Sequence, residues 1–437
     1  MSPVVNSSSP LYIGIDVGTS GCRAVAIDAA AMEVTRADAP MPAPRREGAA
    51  VEQEAEVWWE ALCAALDALL AQVPREAVRA LAVDGTSGTV LVADADGRPL
   101  APALLYNDNR ATAEAERIRV VAPRESAAHG SGSGLAKLLW LLARVPHPVR
   151  VHTPADWLAA RLTGRCGRSD ANDVLKLGWD PMARAWPSWL ETLGVPPGLL
   201  PEVVAPGTPL GPLAAAMARR FGLSADVQVV AGTTDSTAAI LATGAARPGD
   251  AVTSLGSTLV MKVISTRPVF APEYGVYGQP YGDHWLVGGG SSSGGAVLRQ
   301  FFSDAELAAL EPRLAPDRPT GLDYYPLLGP GERFPVNDPH WSPRMTPRPQ
   351  DDALFLQGLL EGMARIEARA YGVLQDLGAP APQRVLTAGG GARNEAWRRI
   401  RETLLGVPVQ RAIHHEAAHG SALLARAGTH AGGLNRC

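Results

Sequence analysis

The chain has 437 residues, 46% of them hydrophobic and 19% charged, which is enough apolar material for two cores and excludes a largely disordered chain. With 40 basic and 44 acidic residues the formal charge is −4, so no field exists that would by itself recruit nucleic acid or an anionic membrane, and a small molecule is the expected partner. Cys22, Cys63, Cys166 and Cys437 form no CxxC pair, and the start has neither a basic region nor an apolar core, so a reducing cytoplasm is expected, without secretion or membrane insertion.

Residues 11–17 read as a strand, Gly18-Thr19-Ser20-Gly21 as a tight turn and 22–28 as a returning strand, with Asp16 just before the turn. Residues 52–73 repeat apolar positions at helical spacing, and 78–83 and 89–93 read as strands. From about 145 to 210 the texture changes: tryptophans (Trp157, Trp179, Trp186, Trp189) and prolines accumulate, which reads as a pocket-shaping insertion. A strand at 227–231 then meets Gly232-Thr233-Thr234-Asp235-Ser236 and a helical run to 245. A second hairpin follows, 251–255 and 258–264 around Gly256-Ser257, and echoes the first about 240 residues earlier, as a duplicated domain would. Beyond it come a glycine- and serine-rich turn at 288–295, a Pro-rich loop at 312–350, a helix at 351–377, a strand at 384–388, the Gly389-Gly390-Gly391 turn and two final helices. Alternating strands and helices predict an α/β protein of two lobes, with a boundary near 245.

Phosphoryl transfer from a nucleotide needs backbone N–H donors around the phosphates, an anion to hold Mg²⁺ and a base beside the accepting hydroxyl. Three glycine–hydroxyl turns that each follow a strand (18–20, 232–234 and 256–257), together with Asp16 and Asp235, supply that set. Any one of them alone is an ordinary hairpin or helix cap. No GxxxxGK[ST] is present, since none of Lys137, Lys176 and Lys262 follows a glycine, and no GxGxxG opens a strand–turn–helix unit.

Seven blocks in order, IGIDVGTSGCRAVAID (13–28), VDGTSGTVLVAD (83–94), LLYNDNRA (104–111), GTTDSTAA (232–239), SLGST (254–258), LTAGGGARN (386–394) and LLGVPVQR…EAAHGSALLA from 404, resemble the FGGY carbohydrate kinases. The resemblance implies a two-lobed actin-like ATPase (ribonuclease H-like) α/β fold, a duplicated domain with a central cleft. It implies residues 1–245 for the sugar, the catalytic base and the insertion, and 246–437 for the nucleotide. It implies ATP and Mg²⁺, Asp235 as catalytic base, and Asp16 as a second catalytic carboxylate associated with Mg²⁺, through water if not directly. Gly18, Thr19, Ser20, Gly232, Thr233, Gly256 and Ser257 match phosphate turns, and Gly389, Gly390, Gly391 and Asn394 the nucleoside motif. Sugar contacts are expected from Asp84, Thr86, Ser87, Tyr106, Asn107 and Asp108. VDGTSGT, SDANDVLKLGWD (169–180) and GTTDSTAA look most like the short ribulose kinases of cyanobacteria and plants, so D-ribulose is the expected acceptor. D-xylulose or another pentulose or polyol is the alternative, and a nucleotide-switch module without sugar kinase activity the rival of another class. Gly134 stands where the family often has Ser, Thr or Pro, and Thr86-Ser87 replaces the Arg-Glu of glycerol kinases. A monomer or homodimer is expected.

Two motifs compete with this reading. His415-Glu416-Ala417-Ala418-His419 is a literal HExxH, but Ala422 and Ala425 replace the glycine and third histidine of the extended zinc motif, and no acidic residue follows Glu416 to act as a carboxylate ligand, which leaves the histidine His430. A final helix packed on small residues, with solvent-facing histidines, is the expectation. Gly290-Ser291-Ser292-Ser293-Gly294 matches GxSxG, yet serine runs beside glycines match by accident, and a short, wet strand at 284–287 is expected before it. The arginine-rich segment Arg393–Arg401 reads as a solvated helix face, since no aromatic platform accompanies it.

Overall fold

The computed structural model describes residues 9–429; Cys437 and His430 lie outside them. Two compact units emerge, one of residues up to Ala242 plus Glu416 onward, the other Thr243–His415. The expected division at 245 assigned everything beyond it to the second domain. Instead, the chain's end returns to the first unit, for a packing reason given below.

The first unit holds a six-stranded sheet in the order Pro209–Pro212, Gln228–Val230, Val78–Gly85, Leu11–Val17, Gly21–Ile27, Glu33–Pro40. Leu11–Val17, Gly21–Ile27 and Glu33–Pro40 form an antiparallel meander, while Val78–Gly85 and Gln228–Val230 run parallel to the first strand. The second unit repeats the plan: His284–Ser291, Leu259–Ser265 and Asp250–Leu255 are the meander, with Arg384–Ala388 and Val409–Arg411 parallel beside them. One edge strand apart, the two sheets share the ribonuclease H-like order of an actin-like ATPase, which is the duplication hinted at by the two glycine–hydroxyl hairpins.

The hairpins and the parallel strands at 78–85, 228–230 and 384–388 fall where the residue pattern places them, but the short strand Val409–Arg411 and the third strand of each meander do not. Glu33–Pro40 is a partly exposed edge strand, so it lacks a continuous apolar run. His284–Ser291 is the reverse case and corrects the expected short, wet strand: it is mostly buried and runs through Gly288-Gly289-Gly290, which read as a turn from composition. A Cβ on Gly288 would lie 1.9 Å from the carbonyl oxygen of Met261 on the neighbouring strand. The glycines serve close approach, as glycine inside a strand often does. Ser291 Oγ and the Ser292 N–H both donate to Glu332, at 2.6 and 2.7 Å, so the GxSxG match is a strand end held by a buried carboxylate.

Helix Ala55–Leu70 buries Trp58, Leu62, Leu66 and Leu69 against the first sheet, where Trp157 meets Trp58 edge to face at 6.3 Å between ring centroids. Trp179 and Trp186 pack at 5.3 Å on a separate apolar cluster together with Trp189. Helix Ala417–Ala427 lies directly on the first strand and on helix Asp235–Ala242: a Cβ on Gly14 would sit 1.9 Å from the Ala418 carbonyl oxygen, and one on Gly420 1.8 Å from that of Ala238. Only small residues permit this contact, which is why AAHGSALLA returns to the first unit. The helix begins after the HExxH start, with Glu416 at its N-cap, so His415 and His419 do not share a helical face, and His419 is buried rather than solvent-facing. Among the described residues no helix is long and apolar enough to cross a membrane.

Candidate active site

In the first unit three parallel strands end side by side. The register sets Asp16 opposite Asp84, and Gly85 bridges Thr234, so Asp16, Asp84 and Asp235 all come from the carboxyl ends of adjacent strands. That end is where open α/β sheets bind ligands, because the loops diverge there and helices begin. Gly232 makes the junction possible, since a Cβ there would stand 1.8 Å from the Val83 carbonyl oxygen.

Asp235 opens helix Asp235–Ala242 and accepts the Ser236 N–H at 2.7 Å. Burial pushes its carboxyl up to about 6, helped by the charge of Asp16 and opposed by the Ser236 and Ser87 amides and the Lys176 ammonium. Gly85, which bridges Thr234, sets the 84–87 loop beside Asp235. Thr86 and Thr89 close that loop through a 2.7 Å hydroxyl contact. Asp16 is buried and paired with Arg23 at 2.9 Å. The turn at Gly18, Thr19 and Ser20 projects toward solvent, with Gly18 N–H donating to Gly21 O at 3.1 Å.

Two expected sugar contacts are corrected. Asp84 is fully buried and takes the Ser421 hydroxyl at 2.5 Å; burial first, then the Asp16 charge, raises its carboxyl well above the usual range. Asp108 is likewise fully buried, and its oxygens accept Val51 N–H, Arg110 N–H and the Arg110 guanidinium at 2.7 to 3.1 Å. It holds the 105–110 loop rather than offering a free carboxylate. Tyr106 is exposed, and Asn107 beside it keeps a buried side-chain oxygen without a hydrogen-bond partner among the described residues.

The 168–178 segment supplies residues that sequence reasoning quoted but did not assign. Asn172 donates to Thr233 Oγ1 at 3.1 Å, which anchors the turn two residues before Asp235, and its own N–H donates to Asp170 at 2.9 Å. Asp173 is buried with neither carboxyl oxygen bonded to a donor in the described residues, and burial followed by the Asp170 charge raises it strongly. Their separation in sequence from Asp235 left no periodic signal to find them.

Asp156, in the capping box of helix Pro154–Thr163, is pushed up to about 7, first by burial and then by the Asp170 charge, against the Thr153 hydrogen bonds. A raised carboxyl means the folded state holds a proton that the unfolded state releases, so this stabilisation is complete below about pH 4 and is lost as pH rises to about 7. We expect Asp156→Asn, which keeps an oxygen for the cap, to match wild type near pH 4 and to exceed it by on the order of 2–4 kcal/mol at pH 8. Urea unfolding at both pH values checks this; equal stability at pH 8 would contradict it.

In the second unit the expected nucleotide residues meet. A Cβ on Gly389, whose φ is +83°, would lie 2.7 Å from the Leu255 carbonyl oxygen, so the Gly389-Gly390-Gly391 turn lies against the start of the Gly256-Ser257 turn. Gly256 and Ser257 carbonyls accept Gly295 and Ala296 N–H at 2.9 and 3.1 Å. Asn394 caps helix Glu395–Leu405, accepting Trp397 N–H at 2.7 Å. Below both turns lies a buried ion pair that corrects the solvated-arginine reading: Arg401 is bidentate to Glu367 at 2.6 and 2.8 Å and donates to Thr387 at 2.8 Å.

Comparison with known proteins places this arrangement. Residues 11–242 match the model of the N-terminal domain of FGGY family carbohydrate kinases and residues 251–428 that of the C-terminal domain. The chain is 32% identical to a xylulose kinase of Streptomyces coelicolor over 92% of this chain and 85% of that one. It is 28% identical to a xylulose kinase of Escherichia coli over 91% and 85%. The solved xylulose kinase from Rhodospirillum rubrum superposes with a TM-score of 0.85 at 26% identity, covering 96% of this chain and 90% of that one.

Proposed function

Since the chain belongs to the FGGY family of carbohydrate kinases, whose phosphate donor is ATP, we propose that it phosphorylates a primary hydroxyl of a ketopentose, D-ribulose first, giving the 5-phosphate and ADP. The observation that carries the reading is the meeting of Asp235, the 84–87 loop and the Thr233–Asn172 contact at the carboxyl ends of three parallel strands. Those are the segments 83–89, 169–180 and 232–239, whose wording resembles ribulose kinases. D-xylulose is the second reading, supported by the names of the relatives.

In this reading Asp235 accepts the proton of the sugar hydroxyl as it attacks the γ-phosphorus, and a carboxylate titrating at about 6 is already deprotonated at neutral pH yet basic enough for the task. The Ser236 amide holds it in place. The 18–20 turn of the first unit is a phosphate turn, and in the second unit the 256–257 turn and the 389–391 turn with Asn394 would hold the nucleotide. The Asp16 carboxylate is an oxygen donor of the kind Mg²⁺ takes, and that ion when bound would neutralise phosphate charge. Asp16 would hold it, through water if not directly, and Arg23 fixes the carboxylate.

A pentulose screen with coupled ADP detection tests the choice of sugar. We expect the highest kcat/KM with D-ribulose, and glycerol among the poorest acceptors. Stereochemistry at one carbon is read by one or two hydrogen bonds, and leaving a buried group unpaired with the wrong epimer discriminates strongly. A higher kcat/KM for D-xylulose would select the second reading.

A further inference from the structure

Lys176 sits in the short 3₁₀ turn Leu175–Leu177, pinned by the burial of both flanking leucines. Its stem lies along Gly88: a Cβ built on that glycine would stand 3.0 Å from Lys176 Cδ and 3.7 Å from Nζ. Gly88 has a φ of +84°, so the turn that admits the lysine there favours glycine on backbone grounds as well. The preceding residue, Ser87, belongs to the 84–87 loop, whose Gly85 bridges Thr234 next to Asp235. Four residues earlier in the lysine's own segment, Asn172 bonds Thr233 on the other side of Asp235. The 172–176 segment thus touches both loops that bracket the base.

The ammonium itself is half-buried and makes no hydrogen bond or ion pair with any described residue. The charged and titratable groups around it are Asp235 and the buried Lys137, which donates to the Leu105 carbonyl at 2.8 Å and is lowered to about 7 by burial and then by the Lys176 charge. Around Asp235 they are Lys176, Asp16, Asp84 and Asp173. A partly desolvated ammonium has three donors and no acceptor, so its natural complement is an oxygen with lone pairs and no proton of its own.

We propose that Lys176 reads the acceptor, taking the carbonyl oxygen of an open-chain ketose whose terminal hydroxyl lies at Asp235. The inference rests on the reading of the first unit as the acceptor site and adds to it a chemical basis for choosing ketoses over polyols. A ketose carbonyl accepts without reorientation, whereas a polyol hydroxyl must turn its own proton toward some other acceptor. Lys176 is a specificity residue and takes no proton in the transfer. Gly134 supports it, because a Cβ there would be 3.3 Å from the Lys176 carbonyl oxygen and 3.2 Å from Leu177, so a larger residue would crowd the turn that presents the lysine.

The test compares the full-length wild type with Lys176→Met and Lys176→Arg on D-ribulose, D-xylulose, ribitol and xylitol, with KM and kcat separated and the pH profile of kcat/KM recorded. We expect Lys176→Met to lose about 10–100-fold in kcat/KM on the pentuloses, chiefly through KM, the scale of one hydrogen bond to a charged group. Polyol values should change by less than about 3-fold, the acid limb should move to higher pH as a cation leaves Asp235, and Lys176→Arg should recover much of the loss. Equal losses on ketoses and polyols, or an unchanged pentulose KM and acid limb, would overturn the proposal. Wild-type turnover is read first: its absence on every pentulose overturns the acceptor reading and this inference with it, whereas its presence beside an indifferent Lys176→Met overturns this inference alone.

Discussion

Asp235→Asn is expected to lower kcat by roughly 10²–10⁴-fold, the usual contribution of a positioned general base. Asparagine keeps an oxygen for the Ser236 amide, so the helix start should persist and ATP binding should remain. The wild-type enzyme should lose kcat/KM as pH falls through about 6, where Asp235 takes up a proton, and the variant's residual rate should lack that limb. Asp16 is the rival for the role. It ends the first strand in a salt bridge with Arg23, so Asp16→Asn should weaken metal dependence more than it flattens the pH profile. Single-turnover rates with a nucleotide titration as control decide it; near-normal turnover of Asp235→Asn at saturating sugar would remove Asp235 from the role.

The largest effect on stability is expected from Arg401→Met. Arg401 and Glu367 are each almost completely buried, and the network continues from Glu367 to Thr253 at 2.5 Å and from Arg401 to Thr387 at 2.8 Å. Thr253 lies on the strand that leads to the Gly256 turn, and Thr387 on the strand that leads to Gly389. Removing the guanidinium strands a buried carboxylate, which costs about 3–5 kcal/mol. Combining Arg401→Met with Glu367→Leu removes the orphan charge and should recover much of that loss, because the two changes share one network. Denaturant unfolding of the single and double variants checks both statements; a loss below about 1 kcal/mol for Arg401→Met would mean that the pair is better solvated than its burial indicates.

What could be read from residues alone follows from where the signal is local. Asp16, Gly232 and Asp235 stand at strand-to-turn junctions marked by apolar runs followed by glycine and hydroxyl residues, and the two hairpins announce the duplication within a few residues each. The structure brings the glycine turns at 256 and 389 together. Three kinds of feature stayed hidden. A half-exposed edge strand such as Glu33–Pro40 has no continuous apolar run, and a strand threaded through Gly288–Gly290 imitates a turn. Burial inverts the meaning of a charge: Asp84, Asp108 and Arg401 read as surface or substrate-facing groups, and each is instead enclosed with a specific partner. Asn172, Asp173 and Lys176 reach the base only through tertiary contact, from some 60 residues away. The small residues of 417–425 carried the packing correctly but not its address, since nothing in a run of alanines tells which sheet it will lie on.

The most direct test of the account is product stoichiometry with MgATP and D-ribulose, followed by phosphorus NMR alongside ADP formation. A pentulose kinase predicts one sugar monophosphate per ADP, a signal that vanishes without the sugar and collapses in Asp235→Asn. ADP released with inorganic phosphate at a rate indifferent to every pentulose would contradict it and leave the nucleotide-switch reading in its place.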